Sequence, residues 1–315
     1  MPQVTAREKE RASGTVVAVQ PRTVTVRAVP GNRDFAVSVP GRLKKGERRV
    51  TAPVAVGDRV DLLVAGGRAK IAAVHPRRNE IARVDSLRPP RKHVLAANVD
   101  QTVCVVSVDQ PPFNHRVLDR LLLLGEAGGV TTGVCINKWD LLALADEPPL
   151  DVYARIGYEV HRASALTGAG VPEMRAALQN KVSLLIGPSG VGKSTLLNRL
   201  VPGAGLRTRP VSPATGRGVH VTTRVGWIDL PEGGVVLDTP GLRHIRPWGL
   251  DPSNLADHFP ELREESRRCQ FRDCRHRGEP GCAVAAAVAA GGEGRRMRYD
   301  SYLRILESLE GGELW

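Results

Sequence analysis

The feature that most constrains the fold of this 315-residue chain is a glycine-rich segment at residues 187–194. It reads Gly-Pro-Ser-Gly-Val-Gly-Lys-Ser and matches the pattern G-x-x-x-x-G-K-S/T of a phosphate-binding loop. An apolar strand candidate at 182–186 precedes it and a helix candidate at 193–200 follows it, which is the context that the pattern requires. The segment therefore predicts a nucleotide-binding α/β domain, and a chance glycine-rich turn is the less favoured reading.

The residue types in this loop suit phosphate binding. Glycines let backbone N–H groups surround phosphate oxygens, and the N-terminus of the following helix adds partial positive charge. Lys193 is expected to reach the β- and γ-phosphates as a catalytic residue, and Ser194 to ligate Mg²⁺ through its hydroxyl group. The predicted nucleotide-binding residues of the loop are Gly187, Ser189, Gly190, Val191, Gly192, Lys193, Ser194 and Thr195.

A second phosphate-side motif, Asp-Thr-Pro-Gly, occupies residues 238–241 after a predicted strand. A carboxylate at a strand end, here Asp238, can hold Mg²⁺ through water, and the N–H of Gly241 can approach the γ-phosphate. The D-x-x-G pattern alone would usually be an ordinary turn. Its place downstream of the phosphate-binding loop makes it a strong signal.

Residues 137–140 read Asn-Lys-Trp-Asp and resemble the N-K-x-D guanine motif. The carboxylate of Asp140 can accept hydrogen bonds from guanine N1–H and the exocyclic amine, a pair of donors that adenine lacks. Asn137 can tie neighbouring loops together, and the stem of Lys138 can pack on the base. Ser164 and Ala165 begin a Ser-Ala-Leu segment similar to the element that backs the guanine carbonyl. Either motif alone would more often be a polar turn.

The order of these motifs predicts a circular permutation. The guanine motifs at 137–140 and 164–166 precede the phosphate-binding loop at 187–194 and the Asp-Thr-Pro-Gly segment. In ordinary GTPases the phosphate-binding loop comes first. A permuted chain with its former ends joined near residues 171–181 keeps the same site in space.

The first quarter of the chain predicts a small β-barrel. Short β-type runs at 14–20, 23–29, 34–39, 58–64 and 70–75 alternate with turn signals, which favours an OB-fold over residues 1–78. This part has 16 Lys/Arg against 6 Asp/Glu, so it holds +10 of the net charge of +12. Such an excess indicates a polyanionic partner and favours nucleic acid, although a solvated basic surface stays open. Loops between barrel strands commonly contact nucleic acid, so the loop with Arg42, Lys44, Lys45, Arg48 and Arg49 is a candidate contact, and an exposed loop without a ligand is an equal alternative.

Beyond a basic, proline-rich junction at 88–92, strands alternate with helices over residues 79–250, which predicts a doubly wound α/β GTPase domain. Residues 251–315 show no strand pattern, and 255–268 and 295–309 look helical. The chain is therefore expected to have three domains. No apolar run is long enough for a membrane span and no signal peptide is evident at the N-terminus, so a cytoplasmic protein is expected.

Four metal-ligand residues lie between the two C-terminal helix candidates. They follow the spacing Cys269-x₄-Cys274-x-His276-x₅-Cys282, which suits a closed, tetrahedral, structural zinc site. A disulfide is disfavoured because the compartment is expected to be reducing and a histidine completes the set. Cys104 and Cys135 fall inside apolar strands and are expected to be plain buried residues.

Taken together, the basic OB-like start, the permuted motifs and the Cys/His cluster resemble the RsgA (YjeQ) family of circularly permuted ribosome-assembly GTPases over nearly the whole chain. The resemblance implies a cytoplasmic bacterial GTPase, expected to be monomeric, that uses GTP, Mg²⁺ and one zinc ion. It also implies action on the small ribosomal subunit and its rRNA late in assembly, with strong stimulation by that subunit and release on hydrolysis.

The resemblance extends to residues 215–223, which are similar to the family's G-x-G-x-H-T-T switch segment. It implies that the hydroxyl of Thr222 senses Mg²⁺ and the γ-phosphate, and that His220 replaces the water-positioning glutamine of Ras-like proteins. Leu242, the residue after Gly241, stands where that glutamine would be and cannot orient water. A loop histidine contacting RNA or solvent is an equal alternative for His220, because Val221 departs from the family pattern.

Three other functions stay open on the sequence alone. A metabolic phosphate-loop kinase would prefer ATP and would need neither a basic barrel nor a zinc module. A non-enzymatic RNA-binding protein could hold GTP as a structural ligand, since Leu242 suggests slow intrinsic turnover. A GTPase acting on the large subunit or on tRNA would share every motif.

Overall fold

The computed structural model describes residues 10–39, 50–85, 89–206, 225–239, 242 and 245–313. The first region is a curled five-stranded antiparallel sheet with the order β3-β2-β1-β4-β5. Strands β3 and β5 contact each other, which curls the sheet into the predicted OB-like barrel. Its bounds are β1 Glu10–Val19, β2 Thr23–Val29, β3 Arg33–Ser38, β4 Arg59–Ala65 and β5 Arg68–Val74.

The barrel core follows the period-two pattern of its strands. Along β2, Val24, Val26 and Ala28 point inward and are buried, and the residues between them are partly exposed. The five strands are those predicted from the sequence, with β1 beginning four residues earlier than expected (Glu10 rather than residue 14). The predicted RNA-contact loop with Arg42, Lys44, Lys45, Arg48 and Arg49 lies outside the described residues.

A two-stranded hairpin that the sequence analysis missed joins the barrel to the central domain. It consists of β6 Glu80–Val84 and β7 Lys92–Ala97, and residues 88–91 of the proline-rich junction lie between the two strands in the sequence. The hairpin also binds the segment after the Asp-Thr-Pro-Gly motif: Val84 N–H donates to Arg246 O at 2.9 Å, and Trp248 N–H donates to Ala82 O at 3.0 Å.

The central domain is the predicted α/β domain, built on a six-stranded sheet with the order β10-β9-β8-β11-β13-β12. Strands β8 to β11 and β13 are parallel, and the edge strand β12 is antiparallel. The strands are β8 Gln101–Ser107, β9 Thr131–Asn137, β10 Glu159–Arg162, β11 Val182–Ile186, β12 Gly226–Asp229 and β13 Val235–Asp238.

Both faces of this sheet are covered, because alternate residues of β8 join two different cores. Cys104 and Val106 pack with helix α1, and Val103 and Val105 pack with α3 and α4. Fully apolar strands buried on two faces are typical of doubly wound folds. The helices are α1 His115–Ala127, α2 Leu150–Ile156, α3 Val171–Leu178 and α4 Lys193–Leu200, with a 3₁₀ helix at Trp139–Leu144.

The C-terminal region is helical, and no strand occurs after Asp238 in the part of the chain that the structure describes. The continuous helix predicted for 255–268 is wrong: a 3₁₀ helix, Leu255–His258, is followed by a separate helix, α5, Pro260–Ser266. Pro260 accounts for the break, because proline fits the first turn of a helix and not its interior. Two more helices follow, α6 Ala283–Ala289 and α7 Glu293–Glu310.

The C-terminal helices share one apolar core with the central domain, and a buried cluster of one arginine and two carboxylates links them. Arg298 of α7 is 1% exposed and donates to Asp119 of α1 at 2.5 Å and to Glu261 of α5 at 2.5 Å. Burial alone would lower the pKa of Arg298, but the two carboxylates raise it well above its ordinary value. Phe259 and Tyr302 pack beside this pair in the same continuous core as Leu118.

Among the described residues, no helix is both long and apolar enough to cross a membrane.

Candidate nucleotide site and metal centre

The predicted nucleotide motifs meet at one edge of the central sheet. Strands β9, β10, β11 and β13 run parallel, so their carboxyl ends lie side by side, and each of them ends in one of the motifs. The chain leaves β8 toward β9 on one side, and β11 pairs with β8 on the other side. This reversal of strand order is the place where open α/β sheets bind ligands.

The backbone of the phosphate-binding loop needs glycine at three positions. Gly190 and Gly192 have φ angles of 87° and 88°, in the left-handed region that L side chains rarely adopt. A Cβ atom on Gly187 would lie 2.2 Å from Val105 O, and one on Gly192 would lie 2.4 Å from Asn137 Nδ2. The loop therefore lies directly against the ends of β8 and β9.

Asn137 ties the phosphate-binding loop to the guanine side. Its side chain is 1% exposed; Nδ2 donates to Val191 O at 2.8 Å, and Oδ1 accepts from Ala165 N–H at 3.1 Å. One buried amide thus joins three loops that are far apart in sequence, as the analysis of the N-K-x-D motif predicted in outline.

On the guanine side, Asp140 is exposed at the start of the 3₁₀ helix, with its carboxylate free to accept from a base. Its Oδ1 atom accepts from Ser164 Oγ at 2.5 Å, and the same hydroxyl accepts from Thr167 N–H at 3.1 Å. Ser164 is buried, so it fixes the carboxylate from behind. Lys138 has a left-handed backbone, φ 60°, and its ammonium group donates to Gln110 O.

The phosphate side contains two charged side chains, Lys193 and Asp238, with unused hydrogen-bonding capacity. Lys193 is 7% exposed, and its Nζ atom donates to Gly187 O at 2.8 Å and to Pro188 O at 3.3 Å, within its own loop. Asp238 Oδ1 is buried and has no hydrogen-bond partner among the described residues. Burial raises the pKa of Asp238 to about 6, although Lys193 opposes the shift, and burial likewise lowers the pKa of Lys193. A carboxylate oxygen left unpaired in a polar crevice fits the hydrated Mg²⁺ that accompanies GTP.

Ser189 of the loop and Thr195 of α4 are exposed, and Ser194 is half-buried at the start of α4. His220, Thr222 and Gly241 lie outside the described residues. Leu242 lies within the described residues. Its apolar side chain is partly buried and packs against the main core, so it cannot orient a water molecule as the glutamine of Ras-like proteins does.

One part of the site was missed by the sequence analysis, namely the loop after β8. Ser107 Oγ donates to Pro111 O at 2.7 Å, and Pro111 Cδ lies 3.5 Å from the position of a Cβ on Gly190. With Gln110 holding the ammonium group of Lys138, the loop contacts both halves of the site. The signal was available, because residues 109–114 follow a strand that is buried along its whole length, and polar loops at such strand ends form ligand sites.

The C-terminal cluster has the geometry of a zinc centre. One ligand atom from each of Cys269, Cys274, His276 and Cys282 lies within 4.8 Å of the others. The Cys269 Sγ–Cys282 Sγ distance is 4.0 Å, and His276 Nδ1 lies 3.4 and 3.7 Å from these sulfurs. Tetrahedral zinc with Zn–S about 2.3 Å and Zn–N about 2.0 Å requires about 3.8 Å between sulfurs and about 3.5 Å between sulfur and nitrogen. The residues therefore fit one structural zinc ion.

The surroundings of the cluster hold its ligands in place. Cys282 caps α6, and its sulfur accepts from Ala285 N–H at 3.4 Å, which fixes the position of this ligand at the start of the helix. Tyr299 donates to His276 O, and Tyr302 donates to Arg275 O at 3.0 Å. The other two cysteines behave as predicted: Cys104 and Cys135 are fully buried, and burial raises the pKa of the Cys135 thiol to about 12.

The sheet, the motif order and the site define a circularly permuted GTPase. Two solved structures resemble the chain over nearly its whole length. YjeQ from Thermotoga maritima is 30% identical, with a TM-score of 0.72, and the match covers 96% of this chain and 99% of that one. YloQ, described as a circularly permuted GTPase, is 27% identical, with a TM-score of 0.71 and full coverage of both chains.

Sequence comparison then gives the family. The family model for the RsgA GTPase matches residues 74–248. A relative from Gemmatimonas aurantiaca is 40% identical over 88% of this chain and 91% of its own length. A relative from Chlorobaculum tepidum is 38% identical over 96% of this chain and 99% of its own length. Both relatives are named small ribosomal subunit biogenesis GTPase RsgA. The chain belongs to the RsgA GTPase family. It is a GTP hydrolase that uses GTP and Mg²⁺ and has a zinc-compatible Cys₃His cluster.

Proposed function

We propose that this GTPase binds the small ribosomal subunit late in assembly and is released when it hydrolyses GTP. The observation that carries the proposal is the near full-length match to relatives named for small-subunit biogenesis. The charge distribution supports it, because the barrel region carries +10 of the net +12 and rRNA is a polyanion. We place the protein in the cytoplasm as a monomer, and we assign residues 1–78, 79–250 and 251–315 to barrel, GTPase and zinc domains.

For GTP binding, we assign guanine recognition to Asp140, supported by Ser164, Ala165 and the stem of Lys138. The exposed carboxylate is held by a buried hydroxyl, so it is oriented before the base arrives. ATP would leave this carboxylate without donors, which disfavours adenine. Asn137 keeps the guanine side and the phosphate side in register, because its one amide bonds to both loops.

For hydrolysis, the ammonium group of Lys193 exchanges its bonds to Gly187 O and Pro188 O for oxygens of the β- and γ-phosphates. Backbone N–H groups of the phosphate-binding loop and α4 donate to the same phosphates. Ser194, Thr222 and, through water, Asp238 would hold Mg²⁺, which neutralises charge developing on the phosphates. Chemistry of this type needs positioning and charge stabilisation and no covalent protein intermediate.

We assign the orientation of the attacking water to His220, in the segment that resembles the family's switch. The packed side chain of Leu242 supports this, because it removes the usual glutamine position from consideration. His220→Ala is expected to bind GTP normally and lose most of its subunit-stimulated turnover. Unchanged stimulated turnover in this variant would remove the assignment.

The function is tested by measuring GTP hydrolysis by the purified protein alone, with small subunits and with large subunits, using ATP as the control nucleotide. We expect strong stimulation by small subunits only, and GTP-dependent retention of the protein on them. Stimulation by large subunits or by neither subunit, with GTP still preferred over ATP, would preserve the GTPase and overturn the proposed partner.

A further inference from the structure

The zinc loop presents an exposed aromatic side chain. Phe271 lies between the ligands Cys269 and Cys274 and is 49% exposed. The chain has four phenylalanines, and the other three are buried or half-buried. Since exposing an apolar ring to water is unfavourable, and this ring stands at a fixed position on the surface, it is a candidate contact for a partner.

The same loop is positively charged, although the C-terminal region as a whole has a negative net charge. Residues 251–315 contain 10 Lys/Arg and 12 Asp/Glu, a net charge of −2, whereas 267–277 contain five arginines and one aspartate, a net charge of +4. Arg267 pairs with Glu264, and Arg277 pairs with Glu310. For the exposed Arg268 and Arg272, the described residues provide no acidic partner. These two guanidinium groups lie close to Phe271 in the sequence, three residues before it and one after it.

The loop is held in shape before any partner binds. Cys274 N–H donates to Phe271 O at 3.3 Å, and Gln270 N–H donates to Gly281 O at 3.3 Å. A Cβ on Gly281 would lie 2.4 Å from Gln270 Oε1, so the first and last segments of the loop are in close contact. Zinc ligands on both sides of Phe271 restrict the backbone further. Little backbone conformational entropy is therefore lost when the loop binds a ligand.

We propose that Phe271 stacks on an unpaired RNA base while Arg268 and Arg272 bind the phosphates beside it. A ring flanked by cations suits single-stranded RNA, because every base offers a flat face and every nucleotide a phosphate. The bases of a duplex are already stacked on each other, so the surface favours loops, bulges and ends. This inference rests on the proposed function and deepens it by naming the type of nucleotide bound by the zinc loop.

The test uses the full chain with zinc bound and a short labelled single-stranded RNA, with a duplex of the same sequence as the comparison. Phe271→Ala is expected to weaken binding to the single strand about tenfold, leave binding to the duplex unchanged, and leave the salt dependence of binding unchanged. Phe271→Trp should restore binding. Arg272→Gln should weaken binding and reduce the slope of log K against log salt by about 0.7. Leu144→Ala, which truncates another exposed apolar side chain at 74% exposure, is the matched control.

Ultraviolet cross-linking on small subunits provides a direct second measurement. Trypsin cuts after Arg268 and Arg272, so a nucleotide adduct on the peptide 269–272 would place a base on this segment, and fragmentation of the peptide would assign it to Phe271 rather than Cys269. Binding of Phe271→Ala equal to that of the unsubstituted chain would overturn the inference. So would equal loss in the Ala and Trp variants with zinc retained, because that pattern indicates a protein pocket shaped for phenylalanine. Suppose that the unsubstituted chain neither binds small subunits nor is stimulated by them, but that Phe271→Ala still loses affinity for single-stranded RNA. The proposed function then fails and the stacking contact stands.

Discussion

The nucleotide site and the zinc cluster bring polar groups together over very different distances along the chain. Asn137 bonds to Val191, 54 residues away, and Asp140 bonds to Ser164, 24 residues away, so the nucleotide site depends on the order of the strands. The four zinc ligands lie within residues 269–282, most of them in irregular backbone between α5 and α6. The nucleotide site is positioned by a sheet with an apolar core on both faces. The zinc loop, in contrast, contains few apolar residues.

This contrast implies different responses to loss of the ligand. We expect the sheet edge to keep its geometry when nucleotide leaves, because Lys193 and Asn137 bond to backbone within the site. The zinc loop has three thiol groups and an imidazole close together with no alternative partners of comparable strength, so the ion itself supplies most of the stabilisation. Removing each ligand, or one of its contacts, tests the contrast.

The largest effect is expected from removing zinc. Apparent binding free energies for structural zinc are about 10–16 kcal/mol, so chelation or Cys274→Ser should unfold the 267–282 loop and expose α5 and α6. Amide hydrogen exchange of α6 should rise to the unprotected rate, while strand β11 stays protected. Zinc content should be close to one ion per chain before treatment. Cys104→Ala removes a thiol outside the cluster and should retain the zinc; equal loss of zinc in this control would refute the site.

Next in size is the loss of the buried ammonium group. Lys193→Met keeps the apolar stem but removes the charge that would meet the phosphates, so GTP turnover should fall about 100-fold or more. Since the methionine still fills the space of the lysine stem, melting temperature should change little. Lys70→Met, on an exposed barrel position, is the control. Turnover within twofold of the unsubstituted chain would mean that the site is assembled differently.

A smaller effect is expected on base choice. Asp140→Asn exchanges an acceptor for a donor, so guanine should bind about 10-fold to 100-fold more weakly, given about 1–3 kcal/mol for an unpaired polar group. Xanthine, with a carbonyl in place of the exocyclic amine, should bind better to the variant than to the unsubstituted chain. Competition between guanine and xanthine nucleotides measures the change in base preference. An unchanged preference for guanine would show that another residue recognises the base.

The smallest effect concerns pH. The pKa of Asp238 is raised to about 6 by burial, against the attraction of Lys193, and its ordinary value is 3.8. A raised folded-state pKa gives stability that is fully present below about pH 4 and is lost as pH rises through 6 in the ligand-free protein. Mg²⁺ requires the ionised carboxylate, so the affinity for Mg²⁺-GTP should fall as pH decreases below 6, by at most tenfold per pH unit.

Asp238→Asn provides the control for this dependence, because the amide does not titrate. Its Mg²⁺-GTP affinity should be lower and flat between pH 5 and pH 7. A slope equal to that of the unsubstituted chain would assign the titration to another group, such as the γ-phosphate.

How far the sequence predicts each region depends on the length scale of its contacts. The zinc ligands and the glycines of the phosphate-binding loop were found because their spacing is set locally. The central sheet was predicted because parallel strands give apolar runs such as 182–186, and the barrel because its strands alternate. The N-K-x-D and Asp-Thr-Pro-Gly segments gained meaning from the phosphate-binding loop, and the structure brings Asn137 and Asp238 to the same edge.

The missed features depend on contacts with distant residues. The hairpin β6–β7 is stabilised by residues 246–248 and by the barrel, as in the bond from Ala97 N–H to Val56 O at 2.9 Å. Helix α2 is seven residues long, which is too short for a periodic pattern to identify. The loop after β8 resembled an ordinary turn, and its contact with Lys138 follows from the strand order. The burial of Arg298 could not be predicted either, because arginine is almost always exposed unless it is paired.

That buried arginine has a consequence for the growing chain. Arg298 is synthesised 179 positions after Asp119, the carboxylate that it neutralises. Every nucleotide motif has left the ribosome long before α7 does, yet the face of α1 that contains Asp119 remains open until α7 docks. A buried carboxylate without its charged partner costs about 3–5 kcal/mol, so we expect α1 to stay hydrated around Asp119 until α7 docks, although Tyr153 Oη donates to the same carboxylate at 2.9 Å. The nascent chain therefore completes the core of its nucleotide-binding domain only after the zinc-binding segment has been made.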